Sequence, residues 1–234
     1  GNHGTLTNTT ASAWAGTSAG WGLKLNGSNN YASAIRGNYA LANEYTIAAW
    51  IYRTTTPSTG IECVLNNYYV TSSPNVSGFD LRMYTDAGVQ KIGLVGSNGS
   101  AAETGSDLNY TWTLNQWTHI AFVRRAGAGR FYANGVDVSA ATIPNDVTTY
   151  GTFKTLQIGR FGSFNSPSDL GRYLNATVGD ITIHARGLGA AEISAAYILG
   201  PGGLGRLLTQ RAQRRVFRTA QGNRRRRLIC GAEC

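Results

Sequence analysis

The chain has 234 residues and a formal net charge of +9, yet only 14% of its residues are charged, whereas 30 are glycine and 12 are tyrosine. This length is enough for one large β-domain to bury a complete core, and so few charged residues disfavour a fold of helices with ion pairs on their surfaces. No stretch approaches about 18 consecutive apolar residues, so the sequence predicts no transmembrane segment.

Eight runs of alternating, β-branched or aromatic residues predict β-strands. They cover residues 22–25, 45–52, 78–84, 91–95, 117–125, 130–133, 155–159 and 176–184. Turn signals lie between them, and Asn134-Gly135 suits a tight hairpin because both residues tolerate a positive φ. Short strands at regular spacing with such turns are typical of a sandwich. We therefore predict an all-β fold, a sandwich or jelly roll.

One short helix is predicted after the last strand, in residues 194–199 and the segment before them. Four residues have the spacing of one apolar helix face, namely Ala191, Ile193, Ala196 and Tyr197. Pro201 and the two glycines after it are expected to end this helix.

An arginine-rich C-terminal arm follows, so the sequence divides into a jelly-roll domain at residues 1–200 and an arm at residues 201–234. Residues 206–234 contain nine arginines and one acidic residue, whereas residues 1–205 contain twelve basic and eleven acidic residues. The body of the protein is therefore nearly neutral, and only the arm favours an anionic partner. We expect the arm to be extended, because its first five arginines would repel one another in an isolated helix.

The arm is predicted to dock onto a neighbouring protein subunit of a larger assembly. Guanidinium groups make forked hydrogen bonds to carboxylates and phosphates, but apolar residues interrupt the charges, which favours a protein over nucleic acid or a membrane surface. The predicted docking residues are Arg206, Leu207, Leu208, Arg211, Arg214, Arg215, Phe217, Arg218, Arg224, Arg225, Arg226 and Arg227.

The three cysteines cannot all pair within one chain and are too few for a disulfide framework. Cys63 lies in an apolar run and is predicted to be a buried free thiol. Cys230 and Cys234 could bridge each other or another subunit.

No catalytic constellation is evident, so we predict that the protein is not an enzyme. A glycosidase needs two neighbouring carboxylates, but the closest acid pairs lie in turn-rich segments and are expected to be solvated. These pairs are Asp80 with Asp86 and Glu103 with Asp107. The histidines, His3, His119 and His184, are far apart and have neither metal-ligand spacing nor a nearby serine motif. We expect His119 to be a packed histidine with its hydrogen bonds satisfied.

Two segments have the composition of a sugar site, because aromatic rings stack on pyranose faces while amides bind hydroxyls. The candidate carbohydrate-binding residues are Asn66, Asn67, Tyr68 and Tyr69 in one segment and Asn109, Tyr110 and Trp112 in the other. The alternative is that these aromatic residues fill the sandwich core and its rims.

Calcium is a possible cofactor, because oxygen ligands from sandwich loops suit this ion. The candidate metal ligands are Asn29, Asn30, Asp146, Asp169 and Asp180. Turn capping or solvation is the alternative role for these residues.

Four segments in order carry a family resemblance. They are LKLNGSNNY at residues 23–31, YTIAAWIY at 45–52, WTHIAFVR at 117–124 with FYANGV at 131–136, and IGR at 158–160 with residues 178–183 and 188–193. Over residues 1–199 the chain resembles the concanavalin A-like laminin-G family of bacterial and phage surface proteins. This resemblance implies two packed antiparallel sheets in a jelly roll, with loops along one edge available for ligands.

Because this fold hosts several functions, the site must decide among them. The hypothesis is a non-enzymatic binding and assembly module at an extracellular, cell or virion surface, which presents its jelly roll to glycans and docks through its arm. One alternative is a purely structural virion component, such as a phage head decoration or fibre subunit. A second alternative is a free secreted lectin or adhesin domain.

Overall fold

The computed structural model describes residues 4–9, 13–17, 20–34, 44–67, 69–72, 75–98, 104–139, 143–144, 156–161 and 172–201. The predicted docking residues of the arm, Cys230 and Cys234, and the candidates Tyr68, Asp146 and Asp169 lie outside these residues. The described chain forms two antiparallel β-sheets and one helix, which confirms the predicted fold class.

In the described part of the chain, sheet A contains eight strands. They are β1 (Gly4–Thr7), β4 (Tyr31–Ala34), β6 (Glu62–Asn66), β7 (Tyr69–Ser72), β8 (Asn75–Asp86), β9 (Val89–Asn98), β10 (Thr104–Asn109) and β15 (Leu156–Ile158). Their order across the sheet is β1, β4, β15, β6, β8, β9, β10, and β7 pairs with β8.

Sheet B also has eight strands among the residues that the structure describes. They are β2 (Trp14–Thr17), β3 (Gly20–Lys24), β5 (Tyr45–Tyr52), β11 (Trp117–Arg125), β12 (Ala128–Ala133), β13 (Val136–Asp137), β14 (Ile143–Pro144) and β16 (Thr177–His184). Their order is β13, β12, β11, β5, β16, β3, β2, and β14 pairs with β12. All eight predicted strands are confirmed, and the strands that were not predicted are mostly short.

The core lies between the two sheets, because every second side chain of each central strand points toward the opposite sheet. In β5, Ile47 and Ile51 point into the core while Trp50 lies on the opposite face. The rings of Phe122 and Phe131 meet edge to face in this core, with centroids 4.9 Å apart. The predicted turn at Asn134-Gly135 is confirmed, with φ of 50° and 81°.

Helix α1 (Ala190–Leu199) packs on the outer face of sheet B. It begins four residues before residue 194, because the Glu192 carboxylate accepts the Gly189 N–H at 2.9 Å and caps the first turn. Ile193 is fully buried, whereas Tyr197 stacks on Trp50 with ring centroids 5.6 Å apart. Gly200, at a φ of 72°, ends the helix just before Pro201.

His119 lies on the same outer face of sheet B and is packed, as predicted. It is buried beside Trp50, with ring centroids 5.1 Å apart. Burial lowers its pKa to about 4. No described protein group accepts or donates a hydrogen bond at its Nδ1, so the expectation that its hydrogen bonds are satisfied stays a prediction.

A buried ion pair closes one end of the sandwich. Arg53, just after β5, donates to both carboxylate oxygens of Glu62 on β6 at 2.8 and 3.1 Å. Glu62 also accepts the backbone N–H groups of Ser58 and Asn175, at 2.7 and 3.1 Å. This one carboxylate therefore ties a loop, strand β6 and the segment before β16 together.

Candidate functional site

The outer face of sheet A carries a set of polar side chains that strand alternation selects. Phe79, Leu81 and Met83 of β8 lie in the core. Asp80, Arg82 and Tyr84 therefore lie on the outer face.

Strand pairing arranges these side chains in three rows. The first row joins Ser33, Gln157, Asn66 and Asp80 across β4, β15, β6 and β8. The second joins Cys63, Arg82, Gly93 and Asp107, and the third joins Tyr84, Lys91 and Asn109. We call the part formed by Arg82, Tyr84, Lys91, Gly93, Asp107 and Asn109 the outer polar face.

Gly93 allows the charged groups of the outer polar face to meet. A Cβ atom at this position would overlap Oδ1 of Asp107. Without one, Asp107 reaches over β9, where its Oδ2 accepts a 2.8 Å hydrogen bond from the Tyr84 hydroxyl and both carboxylate oxygens lie 3.5 Å from Nη2 of Arg82. The side chains of Arg82 and Asp107 are 15% and 30% exposed, so solvent reaches both.

Two cationic groups lie near the Tyr84 ring. The Arg82 guanidinium is 5.7 Å and the Lys91 ammonium 5.8 Å from the ring centroid. Partial burial, followed by the hydrogen bond to Asp107 and its charge, raises the pKa of Tyr84 to about 12. The hydroxyl therefore stays protonated at neutral pH and holds the Asp107 carboxylate in place.

The first and second rows also contain buried polar side chains. Asp80 is buried in β8 beside Cys63, and burial together with the Asp80 carboxylate raises the thiol pKa well above its usual value. Cys63 is a buried free thiol, as predicted. The expectation of a solvated turn residue is wrong for Asp80, which is buried in a paired strand. Asp107 also lies in a paired strand rather than a turn, but it is exposed to solvent as expected. Glu103 lies outside the described residues.

The structure separates the candidate sugar residues. Asn109 is exposed on the outer polar face, and Asn66 lies buried in the first row on the same side of the sheet. Trp112 is buried in the core with the Tyr110 ring 5.1 Å away, which is the alternative role considered for them. Asn67 is buried and accepts the Phe79 N–H at 2.8 Å. Tyr69 is placed in β7, and sugar contact by any of these residues stays a prediction.

The structure also places the candidate calcium ligands in different elements. In the loop between β3 and β4, the Asn30 Oδ1 accepts the Asn26 N–H, and the Asn29 Oδ1 accepts from the Asn26 side chain. Both oxygens thus serve the turn, which is the capping role considered for them. Asp180 belongs to β16 on sheet B. The described residues contain no group of three or more His, Cys, Asp or Glu that could hold a metal ion.

The sequence reasoning missed Arg82, Tyr84, Lys91 and Asp107 as site residues. The strict alternation of apolar and polar residues from Phe79 to Tyr84 was the available signal for the first two. Nothing comparable pointed to Asp107, because β10 was not predicted as a strand.

No helix in the described part of the chain is long and apolar enough to cross a membrane.

Comparison with protein families gives one match. Residues 25–194 match the family model described as the concanavalin A-like lectin/glucanases superfamily. This match covers most of the chain and confirms the resemblance predicted from its four segments. No curated protein matches the chain in sequence.

Several solved structures share the fold. The binding domain of botulinum neurotoxin serotype G has a TM-score of 0.60 and 16% sequence identity. The match covers 85% of this chain, and this chain spans 47%, about half, of the neurotoxin chain. Domain 4 of AbnA, a GH43 extracellular arabinanase from Geobacillus stearothermophilus solved with arabinotriose, has a TM-score of 0.57 and 18% identity, covering 82% of this chain and 86% of that one.

A third similar structure is the CBM40 of the Ruminococcus gnavus IT-sialidase, solved with α2,3 sialyllactose. It has a TM-score of 0.52 and 13% identity, covering 67% of this chain and 83% of that one. At these identities the three likenesses establish a shared fold.

Proposed function

Because the chain belongs to the concanavalin A-like lectin/glucanases superfamily, we propose that it is a non-enzymatic glycan-binding module at an extracellular, cell or virion surface. The sugar contacts the outer polar face. The observation that carries this proposal is the cluster of Arg82, Tyr84 and Asp107, in which a ring, a guanidinium and a carboxylate lie together, partly exposed.

The chemistry of these groups suits a sugar. The carboxylate of Asp107 accepts hydrogen bonds from sugar hydroxyls, Arg82 donates to their oxygens, and the Asn109 amide does both. The Tyr84 ring offers an apolar surface to a pyranose. Contacts among the three clustered side chains hold them in place before binding, which reduces the conformational entropy lost when the sugar arrives.

The solved structures are compatible with this role. Two of the domains that share the fold were solved with oligosaccharides, namely arabinotriose and α2,3 sialyllactose. The fold therefore accommodates glycans in other proteins, and the chemistry of the outer polar face supports the extension to this chain.

Glycan-array binding tests the proposal. The full chain and a chain ending at residue 205 are both applied, because the nine arginines of the arm attract anionic sugars without selectivity. We expect both chains to bind the same glycans selectively, and Asp107→Asn and Tyr84→Ala to weaken that binding about tenfold each, equivalent to about 1.4 kcal/mol.

The matched control is Arg125→Ala, which removes an exposed arginine from sheet B. It should leave binding unchanged, whereas Arg82→Ala should weaken it. If neither chain binds any glycan selectively, the proposal is wrong, and the alternative of a structural virion component without sugar binding gains support.

We extend the proposal to assembly: the C-terminal arm docks the module onto neighbouring subunits. Its mixture of arginines and apolar residues supports this role. The test compares incorporation of the full chain and of a chain ending at residue 205 into the native assembly. The truncated chain should be excluded, and its incorporation at full level would contradict docking through the arm.

Calcium binding is a separate part of the proposal and has its own test. The array is repeated with calcium and with a chelator, and loss of glycan binding on chelation would support a calcium site. Binding that is identical under both conditions would remove calcium from the glycan site.

A further inference from the structure

The outer side of sheet A continues beyond the outer polar face, toward β15 and β4. Ala32 of β4 lies in the core, so its neighbour Tyr31 points outward. The Arg160 guanidinium, two residues after β15, lies 4.7 Å from the centroid of the Tyr31 ring and 6.0 Å from that of Tyr173. All three residues are partly exposed. An aromatic and cationic surface therefore lies on the same side of the sheet as Tyr84.

Arg172 lies between this surface and Arg82. Its carbonyl oxygen accepts the Phe161 N–H at 3.2 Å and the Cys63 N–H at 3.5 Å, which holds it against β6. Its guanidinium lies 4.8 Å from the centroid of the Phe161 ring. Burial and then Asp80 raise the pKa of the Cys63 thiol. The charges of Arg172 and Arg82 both lower this pKa, so both guanidiniums lie near the thiol.

Three arginines thus follow one another across sheet A, from the end of β15 over β6 to β8. We call them the arginine row: Arg160, Arg172 and Arg82. Arg172 is partly exposed and takes part in no ion pair among the described residues. Asp80 is only 1% exposed, and Asp107 lies beyond Arg82 on β10. The described surface between Tyr31 and Arg82 therefore offers positive charge and no exposed carboxylate.

The two ends of this surface are too far apart for one sugar ring. Tyr31 is on β4 and Tyr84 is on β8, with β15 and β6 between them. Neighbouring strands lie about 4.8 Å apart, so roughly 14 Å separate the two tyrosines across the sheet. A ligand that contacts both must therefore be a chain of several sugar units.

We propose that the ligand of the outer polar face is a linear, acidic oligosaccharide, which extends from Tyr84 across the arginine row to Tyr31. Its acidic group contacts Arg172. This ligand class rests on the proposed glycan-binding function. Arg172 suits an acidic group because a guanidinium makes forked hydrogen bonds to planar carboxylates and to phosphates. Its contact with the Phe161 ring orients it before the ligand arrives, which reduces the entropy lost on binding.

Matched glycans on the array test the class of ligand. Each acidic glycan is compared with the same glycan without its acidic group: sialylated with asialo, sulfated with unsulfated, phosphorylated with dephosphorylated, and uronate with methyl ester. The full chain and the chain ending at residue 205 are both applied, so that binding through the arm is recognised by its loss in the shorter chain. We expect the glycans bound by both chains to be acidic and longer than a disaccharide.

Two substitutions of Arg172 locate the acidic group. The best acidic ligand and its counterpart without the acidic group are titrated by calorimetry. Arg172→Gln should weaken binding of the acidic ligand about tenfold and leave the counterpart unchanged. Arg172→Lys keeps the charge and should lose less. Arg125→Gln, which removes an exposed arginine from sheet B, is the matched control and should change neither affinity. Thermal unfolding establishes that each variant is folded.

Tyr31→Ala tests the length of the site. Shortened forms of the best ligand, down to the monosaccharide, are titrated against the wild-type chain and the variants. Wild-type affinity should rise with ligand length until the ligand spans the arginine row. Tyr31→Ala should weaken binding of the long forms and not of the short ones, whereas Tyr84→Ala should weaken every form that binds.

The acidic ligand and the glycan-binding function can fail separately. Selective binding of neutral glycans that still depends on Tyr84 would overturn the acidic ligand and leave the outer polar face as a sugar site. An acidic ligand whose affinity is the same in Arg172→Gln would also overturn it, as would a monosaccharide that binds as tightly as the longer forms. If neither chain binds any glycan selectively, both proposals are wrong.

Discussion

At the scale of single residues, the outer polar face depends on the absence of one side chain. Gly93 occupies the middle of a row in which Arg82 and Asp107 are separated by strand β9. Any Cβ atom at residue 93 would occupy the position of Oδ1 of Asp107. The sequence shows Gly93 only as an ordinary strand residue. Its lack of a side chain nevertheless allows the groups of Arg82, Tyr84 and Asp107 to contact one another.

We expect Gly93→Ala to weaken glycan binding with little loss of stability. Asp107 can turn toward solvent, so the substitution should displace its carboxylate rather than break the sheet. Glycan affinity should fall at least about tenfold, as measured by titration with the best array ligand. Gly60→Ala is the control, because a Cβ atom there meets only Ser58 Oγ at 3.7 Å. Unchanged affinity in Gly93→Ala would contradict the placement of the sugar.

Buried His119 makes stability depend on pH. Its pKa is about 4 in the folded protein and about 6.5 in an unfolded chain. The unfolded state therefore binds more protons between these values, so stability is retained above pH 6.5 and is lost as the pH falls toward 4. The loss amounts to about 3 kcal/mol. Urea unfolding at pH 7 and pH 4 measures it, and His119→Gln should show a smaller difference. An equal difference in both chains would assign the pH dependence to other groups.

The thiol of Cys63 should be unreactive in the folded protein. It is fully buried, and its pKa is raised, so little thiolate forms at neutral pH. In a Cys230→Ser, Cys234→Ser variant, a thiol reagent should label no cysteine until denaturant unfolds the chain. Rapid labelling of the native variant would show that this region opens readily.

At the scale of secondary-structure elements, alternation made the long strands predictable. The bounds of β5 and β11 match the prediction, because each has an apolar side chain at nearly every inward position. Strands such as β1, β2 and β10 were missed. They are short and rich in Gly, Ser and Thr, so neighbouring strands rather than local preference hold them in the sheet.

Elements at one end of the sandwich are joined through the buried pair of Arg53 and Glu62. We expect Arg53→Ala to destabilise the protein by about 3–5 kcal/mol, because it leaves the Glu62 carboxylate buried without its counter-ion. The comparison is Arg130→Ala, which breaks the partly exposed pair with Asp137 and should cost less than about 1 kcal/mol. Chemical denaturation of both variants measures the difference. Equal losses would show that solvent reaches the first pair.

At the scale of the whole molecule, charge divides the chain into two parts. Residues 1–205 are nearly neutral, whereas the segment after them contains nine arginines and one acidic residue. A partner that binds residues 1–205 therefore need not bind the arm. Salt should weaken binding through the charged arm more than binding through the nearly neutral body.

Retention on a polyanionic column should therefore depend on the arm alone. The full chain is expected to elute only at raised salt, because its clustered arginines attract sulfate groups, while the chain ending at residue 205 should pass without retention. Elution of both chains at the same salt concentration would place the anion-binding groups on the body instead.

The sequence by itself determined the fold class, the family and the faces of the long strands, because period-2 alternation and turn residues act locally. The alternation of apolar and polar residues is enough to place Phe79, Leu81 and Met83 on one face of β8 and Arg82 and Tyr84 on the other, although this signal was not used to predict a site. The sequence could not determine that Asp107 of β10 would reach Arg82 of β8, or that Arg172 would lie beside Cys63. Those contacts depend on strand order and register, which only the packing of distant segments against a shared core decides.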